Sequence, residues 1–273
     1  MAARKRLDTL LVERGLFESR NKASACVLAG EVRLGPGGER AAKPGMLVAE
    51  ELELTVEPAP RYVSRGGLKL ERALACFGVA PLGRLCLDVG ASTGGFTDCL
   101  LESGAARVAA LDVAYGELHW KLRQDPRVTV IERTNARTVE AAALPFAPDL
   151  ITVDVSFIGL EKVLPAVARC AATRFDLLAL VKPQFQLERG RVGKGGVVRR
   201  PEDRLDALVR AGEAARALGL SVHGYCASGL PGPAGNRESF IWCAEGSRDG
   251  VEDLVAAARA AEPEAREPAG TRP

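Results

Sequence analysis

The sequence predicts an α/β protein: a mostly parallel sheet covered by helices on both faces, preceded by a small α+β unit. Three observations predict it. From residue 65 to about 245, apolar strand-like runs alternate with helical patterns, which is how a parallel sheet with crossover helices reads. One of these strands runs straight into a glycine-rich turn, LDVGASTGGF at 87–96, that opens a helix. Before residue 60, apolar residues recur at helical spacing, short strand-like runs follow, and the charge is segregated. A chain of 273 residues, 47% of them hydrophobic, suffices for one large domain or two modest ones.

The first helix is expected around Leu7, Leu10 and Leu11, ended by Gly15, and the second around Ala23, Val27 and Leu28, with Ser19 as its N-cap. Strands are expected at 31–34 and 51–56. Through residue 43 there are nine Lys or Arg against five acids, whereas the only charges from 44 to 60 are Glu50, Glu51, Glu53 and Glu57. A basic face with Arg4, Lys5, Arg6, Arg20 and Lys22, followed by an acidic strand, suits a small RNA-binding module; from charge alone, a solvated face is the alternative. The pattern RLDTLLVERGLFESRNKASACVLAGEVRL resembles the S-four RNA-binding domain. Arg6-Leu7-Asp8, Ser19-Arg20, Ala23, Ala29-Gly30 and Val32 carry the resemblance, while the usual V-x-V-N-G hairpin is here VRLGPGGE. Pro58-Ala59-Pro60 marks a boundary. The expected organisation is an S-four-like domain at 1–60, a link at 61–64, a larger domain at 65–246 and a tail at 247–273.

In the larger domain, strands are expected at 84–89, 107–113, 128–132, 150–155, 177–182, 221–227 and 239–244. Helices are expected near 69–77, 97–103, 117–123, 160–171 and 201–218. The last two strands leave no room for a crossover helix, so the final strand is expected to run antiparallel. One Ala-rich helix follows Gly246, and then a Pro/Glu tail.

The glycine turn carries the first chemistry. Glycine has no Cβ and tolerates positive φ, so the backbone passes close to a ligand, and the helix behind it offers unpaired N–H groups. The spacing is not G-x-G-x-x-G. The form D-x-G-x-x-x-G-G resembles the first motif of S-adenosylmethionine (SAM)-dependent methyltransferases, in which the bound anion is the methionine carboxylate. Asp88, Gly90, Ala91, Ser92, Thr93, Gly94, Gly95 and Phe96 are the cofactor candidates it supplies. Asp112, 24 residues after Asp88, ends the second strand, where an acid can accept both hydroxyls of a ribose. The segment Glu132-Arg133-Thr134-Asn135 follows the third strand, where an adenine would lie, and Asn135 is its candidate contact.

Ligands of open α/β sheets bind at the carboxyl edge. Asp154 ends the fourth strand there and Lys182 the fifth; Glu238 starts an antiparallel last strand at the same edge, and Lys69 on the entering helix reaches over it. A ribose 2′-hydroxyl is a very weak acid and must lose its proton as it attacks a methyl group. A lysine can take that proton only if its pKa, about 10.4 unperturbed, falls through burial or a second cation. Asp154 and Glu238 would orient the lysines and the hydroxyl, and Asp154 is also a cofactor candidate.

The S-four pattern, GASTGGF, DVAYGELHWKLRQDPRV, ERTNAR, DVSFI, LVKPQFQ and LPGPAGN-x-E together resemble the TlyA family over about residues 4–245. These are FtsJ-like 2′-O-methyltransferases of ribosomal RNA, some of which carry the name hemolysin. The resemblance implies a Rossmann-like, seven-stranded class I methyltransferase fold, SAM as cofactor, a cytidine ribose in 16S or 23S rRNA as substrate, and ribosomal subunits as partners. It carries the catalytic tetrad over as Lys69, Asp154, Lys182 and Glu238. In the segment LERGRVGKGGVVRR, Arg189, Arg191 and Lys194, with Arg65 upstream, are further candidates for phosphate contact on a mobile loop.

Other classes are disfavoured. A membrane-active hemolysin needs an apolar spanning or amphipathic segment, and none is found. There is no GxSxG, and His119 and His223 lack a recognisable Ser partner, which argues against a hydrolase. A non-catalytic RNA-binding assembly factor would not need the intact loop and tetrad. The seven cysteines are scattered with no CxxC, so reduced thiols are expected, with no metal. With no signal-peptide pattern in the basic start, a cytoplasmic monomer is expected.

Overall fold

The computed structural model describes residues 4–57 and 60–262. The expected boundary at Pro58 and Ala59 and the tail from 263 onward lie outside the described residues. The chain divides into two compact units, Met1–Arg61 and Tyr62–Pro273.

In the first unit, β1 (Arg4–Arg6) leads into α1 (Leu7–Glu13), and α2 (Arg20–Ala29) follows. Ser19 caps α2, its hydroxyl accepting the Lys22 N–H at 3.3 Å, and Gly30 closes it in the left-handed conformation at φ 76°. Then come β2 (Val32–Leu34), β3 (Glu39–Arg40), β4 (Leu47–Ala49) and β5 (Leu54–Val56). The altered hairpin closes as a four-residue turn, 35–38, with Leu34 opposite Glu39. β3–β2–β5 form one antiparallel sheet and β1–β4 a second. Leu7, Leu10, Leu11, Ala23, Val27, Val32, Ala41 and Val48 make the core. The sequence reading missed β1, β3 and β4, since strands of two or three residues carry no legible period.

The second unit contains α3 (Gly66–Phe77), β6 (Leu85–Val89), α4 (Gly95–Glu102), β7 (Arg107–Leu111), α5 (Trp120–Arg123), β8 (Val128–Ile131), β9 (Leu150–Val153), α6 (Leu164–Arg169), β10 (Asp176–Val181), α7 (Pro183–Gln186), α8 (Pro201–Ala217), β11 (Ser221–Ala227), β12 (Ser239–Ala244) and α9 (Leu254–Arg259). The seven strands pair in the order β11-β12-β10-β9-β6-β7-β8. β12 is antiparallel to both neighbours, as its short connection predicts, and the β10-β9-β6-β7-β8 pairings are parallel. Both faces are buried: Leu177, Ala179 and Val181 of β10 enter one core, while Leu178 and Leu180 enter the other. The chain order reverses between β6 and β9, so the crevice beyond their carboxyl ends is the expected ligand position.

Three elements differ from expectation. Residues 160–171 split into a 3₁₀ turn and the shorter α6, because Pro165 has no N–H to give and sits at the helix start. α5 begins only at Trp120, where His119 caps it by accepting the Lys121 N–H. Tyr62, Val63 and Ser64, expected in a link, are packed into the second unit. Tyr62 is buried in its core against Gly67, where no Cβ would fit, and the Val63 N–H donates to Asp98 at 2.9 Å. Among the described residues, no helix is long and apolar enough to cross a membrane.

Candidate active site

The glycine turn folds over the end of β7: the N–H groups of Gly90 and Ala91 both donate to the Leu111 carbonyl, at 2.8 and 3.1 Å. Gly90 has φ 84°, and a Cβ there would overlap the carbonyl oxygen of Asp154 on the adjacent strand end. The glycine is therefore required by the neighbouring strand rather than by a ligand. Gly94 faces Leu118 and Leu122, and Gly95 lies against Ser64 and the start of α3, so these two permit helix packing. Phe96 is buried with its ring 5.8 Å from Phe240. Ala91, Ser92 and Thr93 line the cavity, along with Gly90, Gly95 and Phe96.

Asp112 organises the far side of the turn. Its carboxylate accepts the Ser92 N–H at 2.7 Å and the Ala114 N–H at 2.8 Å. Each oxygen keeps a second lone pair. The cleft beside it holds only about 10 Å³ and is lined also by Glu117, which accepts a hydrogen bond from Ser92 Oγ.

Asp88 does not reach the cavity. It is fully buried behind the turn and accepts from Thr97 Oγ1 at 2.7 Å and Thr152 Oγ1 at 3.3 Å. Burial pushes its carboxyl up to about 7, against the opposing hydrogen bond from Thr97. Its role is to hold the turn to the sheet. Between about pH 4 and 7 the native protein keeps a proton here that the unfolded chain has released, so this group makes stability fall as pH rises through that window and level off above it. Asp88→Asn is expected to flatten that slope in denaturant unfolding across pH 4.5–8; an unchanged slope would contradict it.

The four candidate catalytic side chains converge as two ion pairs on one cavity of about 270 Å³. Lys182 Nζ lies 2.7 Å from Asp154 Oδ1 and donates to Ser156 Oγ at 2.8 Å. Lys69 Nζ donates to Glu238 Oε2 at 2.5 Å, and this pair is buried, with Lys69 8% and Glu238 3% exposed. α3 supplies Lys69, Asp154 and Lys182 directly follow β9 and β10, and Glu238 directly precedes antiparallel β12 at the same edge. The two lysines and two carboxylates balance one another, and Arg65 adds one further positive charge to the lining. Arg65 is exposed at its rim.

Other expected residues lie elsewhere. Asn135 is exposed and turns its own loop, its side chain accepting the Arg137 N–H at 3.0 Å; it does not line the cavity. Arg191 is engaged by Asp203 and Asp206 at the start of α8, which hold its pKa above the usual value. The segment around it is fastened at several points: Val198 packs with Leu187 and Ala207, and Arg204 donates to the Arg199 carbonyl. Arg189 and Lys194 are exposed. His223 does have a serine, with Ser221 Oγ 3.0 Å from Nε2, but that hydroxyl also meets the Glu245 carbonyl at 3.1 Å. If its single proton goes to that carbonyl, the imidazole must donate to it and cannot activate it. Sequence reasoning missed Ser156 and Ser64 at the cavity. It also missed Phe157, 91% exposed at φ 64° with its ring 5.3 Å from Phe185. Nothing in sequence signals a phenylalanine at positive φ; Ser156 stood inside DVSFI without a distinguishing neighbour.

A switch-point glycine turn and strand-end charges on this sheet order define a Rossmann-like methyltransferase. Residues 62–245 match the family described as FtsJ-like methyltransferase. The chain is 47% identical over 262 residues to the 16S/23S rRNA (cytidine-2′-O)-methyltransferase TlyA of Mycobacterium tuberculosis, covering 93% of this chain and 97% of that protein. It is 42% identical over 195 residues to Hemolysin A of Brachyspira hyodysenteriae, covering 71% and 80%. A solved structure, named a hemolysin, from Streptococcus thermophilus superposes with TM-score 0.73 at 38% identity, covering 97% of this chain and 98% of that one. The chain belongs to the FtsJ-like methyltransferase family and, within it, to the TlyA group.

Proposed function

We propose that this chain transfers a methyl group from SAM to the 2′-hydroxyl of a cytidine ribose in ribosomal RNA, acting on ribosomal subunits in the cytoplasm. The observation that carries the reading is the pair of lysine–carboxylate contacts on one cavity beside the glycine turn. The M. tuberculosis relative's name supports the substrate.

The residues present fit SAM. In the first turn of α4 the Thr97 N–H is taken by Asp88, while the Gly95 and Phe96 N–H groups have no carbonyl within their own helix and suit a carboxylate. Asp112 has lone pairs free for ribose hydroxyls once Glu117 yields its place in the narrow cleft. SAM supplies a sulfonium-activated methyl group when bound. Lys182 Nζ is the group placed to take the hydroxyl proton; Asp154 and Ser156 fix where that nitrogen points. The Lys69–Glu238 pair lines the same cavity. Much of the remaining acceleration is alignment of the oxygen with the methyl group. Methyl transfer from labelled SAM to isolated ribosomal subunits tests the reading, with label expected on a ribose oxygen.

The first unit is read as an S-four RNA-binding domain. Its basic residues are not equivalent. Asp8, 2% exposed, is held well below the usual carboxylate range by Arg6, against its own desolvation, with Arg20 adding to the effect. Lys5 sits between Glu13 and Glu50, 2.8 Å from each. Removing Arg6 would therefore take the nearer of two partners from a buried acid as well as remove a phosphate contact. Arg4, and Lys22 with its exposed partner Glu18, give the cleaner test. Arg4→Ala and Lys22→Ala are each expected to weaken subunit binding and to reduce its log–log salt slope by about 1, leaving SAM affinity unchanged. Unaltered slopes in both would place RNA contact elsewhere.

A further inference from the structure

We propose that Asn236 is a positioning residue that ties the basic 189–200 segment to the Glu238–Lys69 pair, so that RNA phosphate held on Lys194 fixes the carboxylate at the methyl-transfer site. The inference rests on the function proposed above and adds a residue and a route to it.

Asn236 is 1% exposed, two residues before Glu238. Its Oδ1 accepts the Val198 N–H at 2.9 Å, and its Nδ2 donates to the Gly196 carbonyl at 2.7 Å. Its own carbonyl accepts the Gly232 N–H at 2.9 Å. Gly232 in turn lies so close to Glu238 that a Cβ there would overlap the carboxylate. The Glu238 carbonyl accepts the Ser228 N–H at 2.9 Å, which closes the loop around the acid. One amide thus joins two loops and reaches Glu238 through a single glycine. An amide is needed because one end must accept and the other must donate; alanine would leave the buried Val198 N–H without its acceptor and the Gly196 carbonyl without its donor.

The segment that Asn236 holds presents cations. Lys194 is exposed, flanked by Gly193, Gly195 and Gly196, with no acid in ion-pair reach among the described residues. Gly196, which receives the Asn236 bond, is two residues from Lys194. A phosphate bound at Lys194 therefore acts on a segment whose position is shared with Glu238, and Glu238 directly holds Lys69 Nζ.

The test uses the full-length protein, SAM and ribosomal subunits, and reads the single-turnover rate at saturating subunit, subunit affinity, SAM affinity and thermal midpoint. Asn236→Ala is expected to slow the rate at least tenfold while SAM affinity stays within twofold. Asn236→Asp, of the same shape but unable to donate, is expected to fall between it and the unmodified protein. Lys194→Ala is expected to weaken subunit binding and slow the rate in the unmodified background, yet to slow it no further in the Asn236→Ala background. If Asn236→Ala does not fold, the same cycle runs with Asn236→Asp. A rate within twofold of normal below the variant's thermal midpoint, or rate losses for Lys194 and Asn236 that simply multiply, would overturn the inference. Absence of methyl transfer by the unmodified protein would instead remove the proposed function, and this inference with it.

Discussion

Lys182→Ala is expected to lower the single-turnover rate of methyl transfer by about 10²–10⁴-fold, the range for losing a positioned proton acceptor. The side chain is placed by two contacts, Asp154 Oδ1 and Ser156 Oγ. Removing it leaves Asp154 Oδ1 buried without that ammonium, and this oxygen accepts no conventional hydrogen bond among the described residues. A modest loss of stability should therefore accompany the loss of rate, and the rate must be read well below the variant's unfolding midpoint. SAM affinity is expected to change little, because the glycine turn and Asp112 are positioned by bonds to β7, β6 and their loops, not by Lys182. Calorimetric titration with SAM beside the rate measurement separates the two effects. A near-normal rate in this variant would remove Lys182 from the chemistry.

The second large effect concerns the Lys69–Glu238 pair. Glu238→Ala leaves an ammonium in a nearly closed site, and breaking a buried pair from one side costs roughly 3–5 kcal/mol. Lys69→Ala strands the carboxylate in the same way. Replacing both by apolar residues of similar volume, Lys69→Met with Glu238→Leu, is expected to recover most of that stability, since no charge is then left unpaired. It should not recover activity. Denaturant unfolding of the two single variants and the double, with methyl transfer measured on each, distinguishes a catalytic wall from a structural one. Recovery of activity together with stability in the double variant would show that the pair only supports the fold.

Much of this site was legible because parallel sheets put their chemistry at strand ends. Asp112, Asp154 and Lys182 each stand where an apolar run stops, and the short stretch between β11 and β12 forces an antiparallel return that brings Glu238 to the same edge. Lys69 was reachable because its helix enters the domain at that edge. The parts that were not legible depend on three-dimensional partners. Asp88 reads like Asp112 in sequence, yet Thr97 and Thr152 enclose it, and Thr152 is 64 positions away. Gly90 reads as a ligand-approach glycine, while the atom it makes room for is the Asp154 carbonyl. Arg191 reads as a free cation because Asp203 and Asp206 belong to the next helix. Tyr62 looked like part of a link beside the proline-rich boundary, and only Gly67, five residues on, creates the space that buries it. Short strands such as Glu39–Arg40 have too few residues to show a period, and the hydrogen bonds that define them come from a distant partner.

Methylation of a cytidine ribose of ribosomal RNA through Lys182 is the proposal on which the others depend. The most direct measurement is transfer of labelled methyl from SAM to isolated small and large ribosomal subunits, followed by mapping of the modified nucleotide. Label is expected on a cytidine 2′-oxygen in at least one subunit and is lost with Lys182→Ala. Label on a base atom, or no label on either subunit from protein that binds SAM, would contradict it.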